Sequence, residues 1–310
     1  MEIVLIILLI VILLVLGICY YCFRVAFYAA PRKKIEGEPP YTLPPGEEYV
    51  PYGEKMLKWM REARERPHEQ VWIESFDGLK LCGNYYEGIP GAPIEIMFHG
   101  YRGSAERDMC GGIQRAFALG RNVLLVDQRC GGCSEGNVIT FGIHERRDCM
   151  KWIDFVIERF GSDIQIILAG VSMGAATVLM TADMELPKNV VGIVGDCGYT
   201  SPKDIICKVI ETEMHLPPKL AWPFVKLAAR IYGGFDLEES SPLEAVKNAK
   251  VPIFFAHGEA DDFVPCEMTL RMYEACTSEK GLLTVPGAAH GLSYPAAPKE
   301  YLQALKDTLG

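Results

Sequence analysis

The sequence predicts an α/β fold, with a mostly parallel central sheet covered on both faces by helices and one transmembrane helix in front. Three observations lead there. Short runs of apolar, often β-branched residues alternate with longer stretches whose apolar positions recur at helical spacing. One run, Ile166-Ile-Leu-Ala169, leads directly into Gly170-Val-Ser-Met-Gly174, and small residues follow at once. Ile3 to Phe23 contains no charged residue.

At a helical rise of about 1.5 Å per residue that first stretch spans roughly 30 Å, the thickness of a bilayer core. A cleaved signal peptide is the rival, but it should carry Lys or Arg ahead of its apolar run, and only Met1 and Glu2 precede this one. Arg24, Arg32, Lys33 and Lys34 all follow the stretch, so the positive-inside rule predicts a single-pass cell-membrane protein with its C-terminal domain in the cytoplasm. Residues 1–30 then form the anchor and its flank. Residues 31–51, rich in Pro, read as an extended linker. Residues 52–310 form the α/β domain.

Within that domain Tyr52 to Arg66 reads as an amphipathic helix. Val71 to Ser75 and Leu79 to Tyr86 read as strands joined by a Phe76-Asp77-Gly78 turn. Ile94–Phe98, Asn122–Asp127, Val190–Gly195, Val251–Ala256 and Gly281–Val285 are buried-strand runs. Ala105–Leu119, Gly142–Phe160 and Lys299–Leu309 carry helical spacing. Gly198 to Lys250 is too long for a simple crossover and reads as a small helical cap over the strand ends, where Trp222 and Phe224 are candidates to hold the apolar part of a substrate.

With 49% hydrophobic residues the chain can bury a sizeable core, and a formal charge of −9 argues against nucleic acid as a partner. The 11 cysteines show no small-scaffold spacing and read as free thiols of a reducing compartment. Cys130-Gly-Gly-Cys133 has the spacing of a redox pair or half a zinc site. The other Cys-x-x-Cys, Cys19 to Cys22, lies inside the apolar first stretch, and no paired-histidine motif is present, so Cys130 to Cys133 reads as a Gly-rich rim loop, and no metal or cofactor is expected.

The Gly-x-Ser-x-Gly run carries the chemistry. It is the pattern of a nucleophile elbow, in which a buried strand turns sharply into a helix and leaves the serine exposed at the tip. A serine hydroxyl needs a base in hydrogen-bond reach, and the base needs an orienting acid. After Ser172 the candidate bases are His215, His257 and His290. His290, on the loop after a strand, is favoured. His257 ends a strand and suits a structural role. The acid lies in Glu259-Ala-Asp261-Asp262, where spacing to Val264-Pro265 favours Asp261 over Asp262, with Asp196 a remote alternative. The developing oxyanion needs two aimed donors. Met173 N–H follows from the elbow, and Tyr101 N–H from the His99-Gly100 turn, in which His99 reads as structural.

Taken together, Phe98-His-Gly-Tyr-Arg-Gly-Ser104, Asp127-Gln-Arg129 through Ser134-Glu-Gly136, Gly170-Val-Ser-Met-Gly174, His257-Gly-Glu-Ala-Asp261 to Val264-Pro265, and Ala289-His-Gly291 resemble the signature set of the α/β-hydrolases. They are most similar to the bacterial serine-aminopeptidase-like and esterase-like branch, which often carries an N-terminal membrane segment. The resemblance spans roughly residues 50 to 310. It implies a triad of Ser172, Asp261 and His290, with Tyr101 and Met173 as oxyanion donors. The family's Arg-Gly-His-Gly-x-Ser turn is here Arg129-Cys-Gly-Gly-Cys-Ser134, which affects the shape of that loop. The expected activity is a membrane-anchored serine hydrolase acting on a small-molecule or lipid-like acyl substrate, most of all a carboxylic ester. The alternatives are an aminopeptidase-like activity and a non-catalytic, membrane-tethered scaffold.

Overall fold

The computed structural model describes residues 1–30 and 40–310. It opens with α1 (Glu2–Ala26), a helix of 25 residues, long and apolar enough to cross a membrane as an anchor or to serve as a signal sequence. Tyr28 then bridges to Val138 of the domain. The first part of the Pro-rich linker, residues 31–39, lies outside the described residues. Its far end is not extended as expected. Glu47–Tyr52 forms a 3-10 helix that buries Tyr49 and runs straight into α2 (Gly53–Glu65).

The hairpin of β1 (Glu69–Glu74) and β2 (Lys80–Tyr86) follows, its turn closed by Ser75 Oγ, which accepts from Leu79 N–H at 2.7 Å. The alternation then begins with β3 (Ile94–Phe98), α3 (Ala105–Asp108), α4 (Cys110–Ala118) and β4 (Asn122–Val126). The single helix expected over 105–119 is broken at Met109. Asp108 is drawn away there to accept a hydrogen bond from Gly100 N–H at 3.0 Å. Next come α5 (Glu145–Phe160), β5 (Ile166–Val171), α6 (Met173–Leu179) and β6 (Val190–Asp196).

Between β6 and the next strand lies the helical insertion. It holds α7 (Pro202–Thr212), α8 (Pro218–Ala228), which continues as a π turn to Gly233, and the short α9 (Pro242–Ala245). The chain ends with β7 (Ile253–Gly258), α10 (Cys266–Ala275), β8 (Lys280–Val285), α11 (Ser293–Ala296) and α12 (Pro298–Leu309). Helix α10 was not anticipated from the sequence.

Among the described residues eight strands form one sheet in the order β1-β2-β4-β3-β5-β6-β7-β8. Strand β2 runs antiparallel to both its neighbours, and every pairing from β4 to β8 is parallel. Because successive side chains in a strand point to opposite faces, each central strand feeds two cores. Ile94, Ile96, Leu124, Val126, Ile166, Leu168, Ile253 and Phe255 face one side, in one cluster with Trp152, Ile153 and Val156 of α5 and Met272 of α10. Met97, Val123, Leu125, Ile167, Ala169, Phe254 and Ala256 face the other, beneath Ile113 of α4 and Tyr301 and Leu305 of α12. Glu95 is the polar exception in β3. Its buried carboxylate is held by Arg115 and by Arg121, which registers α4 against the sheet. A sheet covered on both faces leaves the C-terminal strand ends open, and Ser172, Asp261 and His290 all sit there.

Candidate active site

Ser172 stands between β5 and α6 with φ +56° and ψ −119°, a conformation that L-residues rarely adopt and that surrounding contacts must hold. The flanking glycines show why. A Cβ on Gly170 would lie 2.2 Å from the Gly174 carbonyl carbon, and one on Gly174 would lie 2.0 Å from Phe98 O. Only glycine lets strand, turn and helix close this tightly. Ser172 N–H donates to Asp196 O at 2.9 Å, which fixes the elbow to β6.

The turn after β3 lies against the elbow. A Cβ on Gly100 would fall 3.5 Å from Ser172 Cβ and 3.9 Å from its Oγ, so the His99-Gly100-Tyr101 backbone borders the hydroxyl. His99 is the brace of that turn. Gln128 N–H donates to its Nε2 at 3.1 Å, its Nδ1 meets Gly100 O at 2.8 Å, and the Gln128 amide donates to His99 O at 2.6 Å. With Nε2 accepting, the Nδ1–H tautomer follows, and the ring is fully committed to structure. Thr177 of α6 donates to Gln128 Oε1 at 3.2 Å and closes the brace onto the elbow helix. Tyr101 and Met173, the expected oxyanion pair, therefore flank Ser172 from β3 and α6. The Tyr101 hydroxyl is engaged elsewhere, donating to Ala26 O of α1 at 2.7 Å.

On the far side, His290 Nδ1 lies 2.6 Å from Asp261 Oδ2. Asp261 is buried, whereas Asp262 is exposed and gives only its main-chain oxygen, to Lys208. Asp261 Oδ1 accepts from Phe263 N–H at 3.0 Å and Val264 N–H at 2.8 Å, which aims the carboxylate. His257 adds a second ring to the same carboxylate, its Nε2 3.1 Å from Oδ2. Burial alone would raise the Asp261 carboxyl, but hydrogen bonds and charge from His257 and His290 outweigh it and bring it down to about 2. Asp196, the remote alternative acid, serves another purpose. It is fully buried, which raises its carboxyl, and Ser293 Oγ donates to it at 2.7 Å.

The His290 loop is seated on the elbow through Gly291, where a Cβ would lie 3.7 Å from the Val171 side chain. Tyr49 holds it from above, donating from its hydroxyl to His290 O at 2.9 Å. Sequence reasoning missed Tyr49, which lay in the expected linker. It also missed Cys197, whose sulfur lies with an Asp261 oxygen and a His290 nitrogen in a group spanning no more than 4.8 Å. Burial pushes this thiol well above its usual range, with the Asp196 and Asp261 carboxylates adding to the effect, so it is an unreactive filler at the base of the site.

Trp222 and Phe224 are brought into the same apolar cluster as Met173, together with Val225, Phe141, Tyr199 and the α1 residues Cys19, Phe23 and Phe27. Both are half-buried on α8. His215 is exposed ahead of α8.

The cysteine reading requires a correction. Cys82 of β2 and Cys133 form a disulfide across 51 residues, while Cys130 is free. The free-thiol argument for a reducing compartment therefore fails for these two residues. The bond clamps the loop after β4, which carries Gln128, onto β2. A closed loop of this length restrains the unfolded chain by about 4 kcal/mol in the chain-entropy picture.

A strained serine at the end of a central parallel strand, bordered by a backbone turn, and a histidine on a later loop paired with a buried carboxylate sit at the positions where the α/β-hydrolase fold carries its reactive groups. Comparison with known proteins agrees. Residues 140–307 match the model of the prolyl oligopeptidase family, and the chain belongs to that family. It is similar to the uncharacterized protein YqkD of Bacillus subtilis, with 28% identity over 62% of this chain and 63% of that protein, so it spans less than two thirds of that relative. In fold it is similar to the Pyrococcus furiosus esterase Pf2001, with a TM-score of 0.65 and 24% identity over 80% of this chain and 94% of the esterase. It is also similar to the Pyrococcus horikoshii acylaminoacyl peptidase, with a TM-score of 0.55 and 15% identity over 80% of this chain and 43% of the peptidase.

Proposed function

We propose that this protein is a membrane-anchored carboxylic ester hydrolase working through an acyl-enzyme. The observation that carries the reading is the 2.6 Å contact from His290 Nδ1 to a carboxylate already aimed by two backbone N–H groups, with Ser172 held in its strained elbow. In this reading Ser172 Oγ attacks the acyl carbonyl while His290 Nε2 takes its proton, and Asp261 orients the ring through Nδ1–H and stabilises the imidazolium. The Tyr101 and Met173 N–H groups receive the oxyanion. His290 then protonates the leaving alcohol, and a water molecule, deprotonated by the same ring, releases the acid and restores Ser172.

The apolar cluster beside Met173, to which Trp222 and Phe224 contribute, supports acyl chains over polar peptides. The fold likeness to an esterase supports the same choice, and the prolyl oligopeptidase family membership keeps peptide bonds as the rival substrate. The test is labelling of the full chain with a fluorophosphonate probe, wild type beside Ser172→Ala, followed by p-nitrophenyl esters of increasing chain length and aminoacyl and acylaminoacyl anilides. Ester turnover well above anilide turnover, with an optimum beyond acetate, is expected. Faster anilide turnover moves the protein to the peptidases, and an unlabelled wild type makes it a scaffold.

A further inference from the structure

Two patterns along α1 place the membrane and the domain in overlapping positions. Charge places the membrane: Arg24 is the first charged residue after Glu2, so the stretch from Ile3 to Phe23 is free of charge. Packing places the domain. Every residue from Glu2 to Leu14 is exposed, whereas Val15, Cys19, Cys22, Phe23 and Ala26 pack against it. Those positions recur at helical spacing, so one face of the second half of α1 is a protein interface.

The free half is too short to span a bilayer. Residues 2–14 extend about 20 Å, against a hydrocarbon core of about 30 Å. If α1 crosses the membrane up to Arg24, then the protein packed on Val15 to Phe23 must enter the bilayer boundary by roughly 10 Å.

That protein is α8 and its π turn. Tyr232 donates to Leu16 O at 3.1 Å and packs edge-on against Tyr20. Inward-facing Val225, Ala228 and Ala229 are buried with Cys19 and Phe23. The outward face is apolar as well: Leu220 is 70% exposed, Leu227 37% and Ile231 48%, with Pro223 also exposed between them. Positions 220, 223, 227 and 231 form one stripe at helical spacing. Lys219, Lys226 and Arg230 run along its side, Lys226 paired with Glu238 and Arg230 with Asp236, so a polar flank borders the stripe. In water such a stripe is a liability. At a lipid boundary it is the expected surface.

We propose that α8 and its π turn form a second membrane contact, seated in the interfacial layer of the same bilayer that α1 crosses. The apolar cluster behind α8 continues to Met173 beside Ser172, so the substrate class that fits is a lipid-borne acyl ester entering from the bilayer. The membrane contact rests on the anchored reading of α1, and the substrate class rests on the esterase reading.

The test uses the full chain reconstituted in phosphatidylcholine vesicles, with and without bromine-substituted acyl chains, which quench tryptophan on contact. Leu220→Trp is compared with Ile89→Trp, a site 53% exposed on the loop before β3. The added emission at 220 should lose at least half its intensity in brominated vesicles while that at 89 loses little. Equal quenching at both sites overturns the membrane contact, and protection at 220 accompanied by dimers assigns the face to a second copy and overturns it too. This readout needs no turnover, so it stands whether or not the esterase reading does. For the substrate class, Leu220→Glu with Leu227→Glu should slow hydrolysis of a vesicle-borne long-chain ester about tenfold relative to soluble p-nitrophenyl acetate. An unchanged ratio overturns that part.

Discussion

Asp261 Oδ2 faces two histidines, and they are built for different work. His257 is completely buried, and both its ring nitrogens are spent. Nδ1 lies 2.6 Å from Thr269 Oγ1, and Nε2 meets Asp261 Oδ2 at 3.1 Å and Val264 O at 2.8 Å. His290 gives only Nδ1 to Asp261, at 2.6 Å, and its partly exposed ring keeps Nε2 for the cleft. A ring with every nitrogen committed stabilises the loop it sits in, and a ring with one nitrogen left over can move a proton. One carboxylate thus fixes the structure of the loop and, in the proposed reading, orients the base.

The largest effect should separate the two rings. His290→Ala should lower kcat by about 10⁴-fold or more and abolish fluorophosphonate labelling, as should Ser172→Ala, with melting temperatures near that of the wild type. Conserved labelling in His290→Ala would remove it from the base role. Asp261→Asn comes next. It should cost about 10³- to 10⁴-fold in kcat and, because it serves both rings, should also lower the melting temperature. His257→Gln should show the reverse balance, losing about 2 kcal/mol of stability while retaining labelling within tenfold of the wild type. Were that variant stable but inert, His257 would belong to the chemistry and the contrast would collapse.

Acid titration probes the shared carboxylate. Asp261 is lowered from an ordinary 3.8 to about 2. The folded protein thus binds this proton less readily than the unfolded chain, so the carboxylate's contribution to stability is complete above about pH 4 and fades as pH falls towards 2. Asp261→Asn should flatten the stability–pH curve in that window. An identical curve in the variant would place the acid sensitivity elsewhere. The smallest effect is expected from Thr269→Val. It removes the hydroxyl at His257 Nδ1 and should cost about 1 kcal/mol in unfolding free energy, with ester turnover unchanged.

The features legible in the sequence were those written locally. Gly170, Ser172 and Gly174 are neighbours whose spacing is itself the geometry, and the apolar runs of β3 to β7 announce a sheet buried on both faces. Asp261 was separable from Asp262 only by spacing, and its buried position beside His290 now distinguishes them. The Cys82–Cys133 pairing was not legible, because it joins a strand to a loop that becomes its neighbour only when β2 pairs with β4. Cys197 and Tyr49 were invisible for the same reason. Helix α10 was missed because its buried residues, Met268, Thr269 and Met272, include too few large apolar side chains to show a period. Uniform apolarity in α1 concealed that one face of its second half meets protein, since lipid and a protein core select the same residues.

The join between α1 and the domain also bears on how the protein can be handled. The end of the helix supplies main-chain oxygens at Ala26, Val25 and Tyr28 to Tyr101 and Arg102, and Phe27 fills the space between Phe141 and Phe235. Cutting away residues 1–30 for solubility would therefore leave Arg102, whose φ is +51°, without these two acceptors and open a phenylalanine-sized hollow beside Tyr101. A truncated chain would carry a differently packed turn beside Ser172. Weak turnover in such a preparation would measure the loss of a side wall, not the competence of Ser172.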